Sequence, residues 1–173
     1  QSFESEYANV ESPTDSNGYV TLNIDKIEAM ISYFAEQVSN LFKVKLMKML
    51  WYSDALSFQR NGVAITGLVY RHDQMGALPV GHYSLMNLEN LNVREEISYN
   101  YDTMLHIYPS ENADYSSLTD EDKYVLDNVI SKFKTFKAKE IVEYMHEESA
   151  YIQTRPGEII PFSLAKEIKP FLS

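Results

Sequence analysis

The sequence predicts an α+β chain that is mainly helical, with a small antiparallel sheet or hairpin inserted in its middle. Four observations predict it. Ile27, Met30, Ile31, Phe34 and Val38 recur at helical spacing, and the stretch from Phe42 to Arg60 is apolar nearly all round. A β-rich pair, Val93–Tyr99 and Met104–Tyr108, brackets the turn residues Asn100, Tyr101 and Asp102. From Thr119 onward the helical period returns.

Taken in order, residues 1–20 hold Glu4, Glu6, Glu11 and Asp15, no lysine or arginine, and a Ser-Pro-Thr-Asp-Ser-Asn-Gly turn cluster. Residues 1–22 therefore read as an acidic polar tail or linker, and 23–173 as a single α+β domain. Tyr19 to Leu22 favour a strand locally. Asn23 or Asp25 caps the first helix. The second runs from Phe42 to Arg60 and stops at Asn61-Gly62, a C-terminal cap; Leu46, Met47, Met49, Leu50, Trp51, Leu56 and Phe58 cover most of its circumference, the mark of a buried central helix. A short strand at Leu68 to Tyr70 is followed by an ordered loop through Gly76-Ala77-Leu78-Pro79, then a short helix from Ser84 to Leu91. Pro109 closes the β pair. Thr119 caps a helix whose first turn holds Asp120, Glu121 and Asp122, favourable against the helix dipole. Leu126, Val129, Ile130 and Phe133 form its stripe, and Ala138, Ile141, Val142 and Met145 that of the next helix. Arg155-Pro156-Gly157 is a turn, and Leu164, Ala165 and Ile168 mark a last helix ended by Pro170.

Composition narrows the function. A length of 173 residues suits one domain, or one domain plus a tail. With no cysteine there is neither a disulfide framework, nor a thiolate nucleophile, nor a cysteine zinc site. No run approaches the length of a membrane span, and no basic, then apolar, leader opens the chain, so a cytoplasmic protein without membrane contact is expected. The net charge of −10 opposes binding to phosphate backbones, so no direct nucleic-acid contact is expected, and it favours a basic partner. Lys132, Lys134, Lys137 and Lys139 read as a solvated linker between helices. The chain opens at Gln1 rather than at Met, as a processed protein or a segment of a longer one would.

No catalytic constellation emerges. The six glycines form no phosphate loop, and no Gly-x-Ser-x-Gly elbow occurs. His146-Glu147 opens like a metalloprotease helix, but Ala150 stands where the second histidine belongs. His72 and His82 flank the Gly76–Pro79 loop and, with a carboxylate, could serve zinc or iron; nothing in their spacing demands it, and neither a metal nor a cofactor is expected. Asp54 is more informative. It lies inside the apolar helix, three residues after Trp51, where a carboxylate must be paired or hydrogen-bonded. It either braces a nearby loop or is a catalytic carboxylate with a shifted pKa; with no second carboxylate at a defined spacing, the brace is preferred. His146, four residues after Val142 at a helix end, reads as a histidine bonded to a loop carbonyl rather than a proton carrier. Trp51 reads as core. Tyr99, Tyr101 and Tyr108, near the hairpin, are candidate surface anchors.

Several of these segments, in order, resemble one family, the Panacea domain of SocA-like and GepA-like phage-associated antitoxins, which also forms the C-terminal half of some MqsA-like zinc-finger/helix-turn-helix antitoxins. Lys45-Leu46-Met47-Lys48-Met49-Leu50-Trp51-Tyr52-Ser53-Asp54 is similar to its Lys-Leu-x-x-Leu-x-Tyr-Ala-Asp helix. Gly62 to Gly67 resembles its Gly-x-x-Ile-Thr-Gly turn, and Gly76-Ala77-Leu78-Pro79-Val80 its Gly-Pro-Val-Pro loop, with Ala77 in place of a proline. Leu118-Thr119 precedes the acidic helix start, and Ser131 to Phe136 with Ala138 to Ile141 leads to His146-Glu147-Glu148-Ser149-Ala150-Tyr151, similar to its Ser-His-Glu-x-x-Ala-Trp segment, with Tyr151 in place of a tryptophan. The resemblance spans about residues 25–168.

It implies an antitoxin domain that neutralises a cognate toxin by direct contact, in some members as an adaptor delivering the toxin to a protease, and that carries no enzymatic activity. In MqsA-like relatives an upstream segment holds the zinc and DNA-binding parts, and residues 1–20 would be the linker to it. The signature positions Trp51, Asp54, Thr66, Gly67, Gly76, Pro79, His82, Tyr83, His146, Glu147 and Tyr151 are then either partner-binding or structural; the partner surface is expected between Gly62 and Tyr83 and at His146 to Tyr151. Two other readings stand beside this one: an effector or dimerisation domain of a helix-turn-helix transcription regulator, binding a small molecule or a second copy of itself, and a metal-dependent hydrolase using Asp54, His72, His82 or His146.

Overall fold

Helix α2 (Lys43–Asn61) sets the architecture, because every residue from Lys45 to Ala55 is buried. A helix buried on all sides must be surrounded, and α2 is packed by α1 (Ile24–Gln37), α4 (Asp120–Phe133), α5 (Ala138–His146), α7 (Phe162–Ala165) and strands of both small sheets. The computed structural model describes residues 2–8 and 12–171. The expected α+β class holds: a mainly helical body with two two-stranded antiparallel sheets in its middle.

The capping chemistry read from the sequence is in place. Asn23 accepts the Lys26 N–H at 3.1 Å to start α1. Gly62, in the left-handed region, ends α2. Thr119 and Asp122 form a reciprocal capping box on α4, with each side chain 3.0 Å from the other's backbone N–H. Strands β3 (Asn92–Ile97) and β4 (Thr103–Tyr108) pair as a hairpin from Asn92 opposite Tyr108 to Ile97 opposite Thr103.

Several expectations need correction. Gly76–Pro79 is not a loop but strand β2, paired with β1 (Tyr70–Asp73) from Tyr70 opposite Pro79 to Asp73 opposite Gly76. The strand expected at Leu68 to Tyr70 thus starts at its last residue. β1 also exchanges backbone bonds with residues 157–160, through His72 N–H to Glu158 O and Ile160 N–H to Tyr70 O, both 2.8 Å. The helices expected at Ser84 to Leu91 and around Leu164 to Ile168 shrink to single turns, α3 (His82–Leu85) and α7; a further turn, α6 (Ser149–Ile152), follows α5. No strand forms at Tyr19 to Leu22, where Tyr19 has φ 61° in a turn.

The described part of the first 22 residues is also not a free tail. A 3-10 turn, Phe3–Tyr7, buries both aromatic residues in the core. The Tyr7 hydroxyl donates to Val80 O at 2.9 Å and accepts the Val69 N–H at 3.2 Å, bridging the base of the β1–β2 hairpin. Asp15 accepts both the backbone N–H and the hydroxyl of Ser163, each at 2.8 Å. Two aromatic side chains four residues apart carry enough apolar surface to anchor an otherwise acidic segment.

Candidate functional site

The polar residues of α2 define the interior. Asp54 is completely buried and its two oxygens are fully used. One accepts the backbone N–H groups of Ile65 at 2.8 Å and Thr66 at 3.0 Å; the other accepts the hydroxyls of Thr66 at 2.6 Å and Tyr70 at 2.8 Å. Burial raises its pKa, and these four donors oppose that rise. The carboxylate thereby fixes the chain reversal between α2 and β1. Gly67 completes this turn: it sits at φ 78°, and a β-carbon there would lie 2.5 Å from the Thr21 backbone, so only glycine fits.

Three more of the buried polar groups of α2 do the same for other segments. Lys45 Nζ donates to Lys134 O at 3.0 Å and Phe136 O at 2.6 Å, a cation on the carbonyls at the end of α4. Lys48, almost fully buried, donates to Ala77 O of β2 at 2.9 Å, and burial lowers its pKa to about 8, partly offset by Asp73. Tyr52 donates at 2.6 Å to one oxygen of buried Glu148, whose other oxygen accepts the Lys169 N–H at 3.0 Å. Burial raises the pKa of both Tyr52 and Glu148.

A second locus surrounds the β1–β2 turn. Tyr151 stacks on His72 at 3.8 Å and on His146 at 4.6 Å between ring centroids, while its hydroxyl donates to Asp73 O at 2.6 Å. His146 Nε2 lies 3.1 Å from Gln74 O, and His72 Nδ1 lies 2.9 Å from Thr154 Oγ1. Gly76 lets the strand approach α2 and α5: a β-carbon there would meet Met145 Sδ at 2.7 Å and Lys48 Cε at 2.9 Å. The Ala77 N–H donates to Met145 Sδ at 3.0 Å, a contact that a proline at this position could not make.

The signature residues therefore fall into separate groups. Asp54, Thr66 and Gly67 meet at one end of α2; Gly76, His146 and Tyr151 meet at the hairpin turn. Trp51 is core, edge-on to Tyr52 at 5.0 Å. Pro79 pairs with Tyr70 in the strand. His82 accepts from Lys43 Nζ at 2.9 Å, its pKa lowered by burial and by that cation. Tyr83 is exposed beneath Lys43, whose Nζ lies 4.3 Å from its ring centroid, and Glu147 faces outward within 3.6 Å of Lys169. Asp54 does not converge on any imidazole, and among the described residues no three histidine or carboxylate side chains gather closely enough to hold a metal ion. Among the same residues, no helix is long and apolar enough to cross a membrane.

Residues 46–151, more than half of the chain, match the family model described as Antitoxin SocA-like, Panacea domain. The chain belongs to that family. No curated protein and no solved structure matches it. The matched span of this SocA-like domain runs from α2 to α6 and includes Lys48, Tyr52, Asp54 and Glu148, the polar groups that pin the surrounding segments to its central helix. Lys45, Tyr70 and Tyr7 also belong to this pinning set, of which only Asp54 stands among the signature positions. The signal that exposes Asp54, a polar residue on a helix apolar all round, applies equally to Lys45, Lys48 and Tyr52.

Proposed function

We propose that this chain neutralises a cognate toxin protein by direct contact. Membership of the SocA-like antitoxin family carries the reading, and the chemistry of the interior supports it. The ionisable groups that sequence reasoning offers as catalytic are engaged within the fold: Asp54 by four donors, His146 at a loop carbonyl, His72 against Tyr151 and His82 by Lys43. A scaffold whose central helix has its buried polar groups satisfied presents a defined outer surface for recognition.

The test is co-expression with the product of the adjacent gene. Restored growth together with a co-purifying complex supports the proposal; absence of both overturns it. Delivery of the bound toxin to a protease is the finer step the family resemblance implies. The half-life of the toxin in cells, with and without this chain, distinguishes delivery from simple occlusion: delivery shortens it, occlusion does not.

A further inference from the structure

The β3–β4 hairpin takes no part in the α2 pinning network, yet its stem is firmly held. The Ile107 N–H donates to Leu41 O at 2.8 Å, and the His106 ring lies 4.4 Å from that of Phe42. Glu96 accepts from the Tyr108 hydroxyl and lies 3.1 Å from His106 Nδ1, while Arg94 sits 4.6 Å over the Tyr108 ring. The far end of the same hairpin is different. Ile97 is 72% exposed, Tyr99 92% and Tyr101 88%. The loop closes through Ser98 N–H to Asp102 O at 2.9 Å and Tyr101 N–H to Ser98 O at 2.8 Å. This closure places Tyr101 at φ 65°, the left-handed region that glycine or asparagine normally occupies in such turns. Three large side chains within five residues are thus left largely in solvent, and one of them stands where the backbone disfavours it.

We infer that this tip is the docking knob for the toxin, with Ile97, Tyr99 and Tyr101 entering an apolar pocket whose rim is basic. The inference rests on the toxin-binding reading above. Exposed tyrosines on a fixed stem supply large contact area with few torsions to immobilise. A convex tip requires a concave partner. The charge of the partner follows from the hairpin and the whole chain: residues 92 to 108 carry three carboxylates (Glu95, Glu96 and Asp102) and a single arginine, within a chain of net charge −10.

The experiment measures binding of the full chain to the polypeptide encoded by the adjacent gene, by titration calorimetry, alongside the melting temperature of each variant. The double variant Tyr99→Ala/Tyr101→Ala should keep its melting temperature and lose at least about thirty-fold in affinity. Tyr101→Gly alone should leave the melting temperature unchanged or higher, since glycine suits the backbone there, and still weaken binding; a structural role for Tyr101 would instead lower the melting temperature. Raising the salt concentration should weaken the wild-type complex. Double-variant affinity within about three-fold of wild type would overturn the inference while leaving the toxin-binding reading intact, since about three-fold is well short of hot-spot loss. A wild-type dimer that becomes monomeric in the double variant would overturn it in favour of a second copy as occupant. A wild type that does not bind the probe at all removes the toxin-binding reading and the knob with it.

Discussion

Replacing Asp54 separates its charge from its hydrogen bonds. In Asp54→Ala the N–H groups of Ile65 and Thr66 and the hydroxyls of Thr66 and Tyr70 lose their acceptor inside the protein. Hydroxyls can rotate towards other acceptors, but the two backbone donors cannot. At about 1–3 kcal/mol for each stranded donor, the loss is about 4 kcal/mol. Asp54→Asn keeps one carbonyl oxygen for the two backbone N–H groups and turns its NH2 towards two hydroxyls able to accept. It also removes the cost of burying a charge, the cause of the raised pKa. Its loss should stay near 1 kcal/mol. The assay is urea unfolding followed by the fluorescence of Trp51, the only tryptophan and buried in the same helix. A thermal scan read by the same fluorescence gives a second measure: in a domain of this size each kcal/mol moves the melting temperature by about 2–4 °C, so alanine should cost about 8 °C or more and asparagine less than about 4 °C. Equal losses for the two variants would refute the hydrogen-bond account; a neutral alanine variant would refute any bracing role.

Three further outcomes follow from the same network. Lys48 has a folded pKa of about 8 against an ordinary 10.5, so between those values the unfolded chain holds the proton that the folded chain has released. Stability should therefore rise with pH across that window by about 3 kcal/mol, and Lys48→Met should flatten the rise in a pH series of urea midpoints. Gly67→Ala must push a β-carbon into the Thr21 backbone at a left-handed φ; a loss of about 3 kcal/mol in the same urea assay is expected. Tyr7→Phe leaves the Val69 N–H and Val80 carbonyl without the hydroxyl that bridges them, and should cost about 2 kcal/mol by thermal unfolding; no loss would mean that the N-terminal turn contributes nothing to the hairpin base.

The parts of the fold legible in the sequence are those set by local chemistry. The period of α1, the all-round apolar surface of α2, the Thr119 cap of α4 and the β-rich runs either side of Asn100 to Asp102 each determine their own element. What was hidden depends on distant partners. Gly76-Ala77-Leu78-Pro79 has little intrinsic strand preference and becomes β2 because β1 and Lys48 take up its backbone groups. The acidic first segment reads as a tail until the pocket for Phe3 and Tyr7 is formed by residues more than sixty positions away. Of the candidate site, the order of the signature motifs was visible, and so was the oddity of Asp54. Its four donors, the stacking of His72 and His146 on Tyr151, and the left-handed Tyr101 follow from tertiary geometry.

A stoichiometric binder and an enzyme acting on the toxin differ most sharply in titration. With toxin activity measured at a fixed concentration well above the dissociation constant, increasing amounts of this chain should lower activity linearly and abolish it at a fixed molar ratio near equivalence. Complete and lasting inactivation by a small fraction of an equivalent would contradict the account and place a reaction where it places a surface.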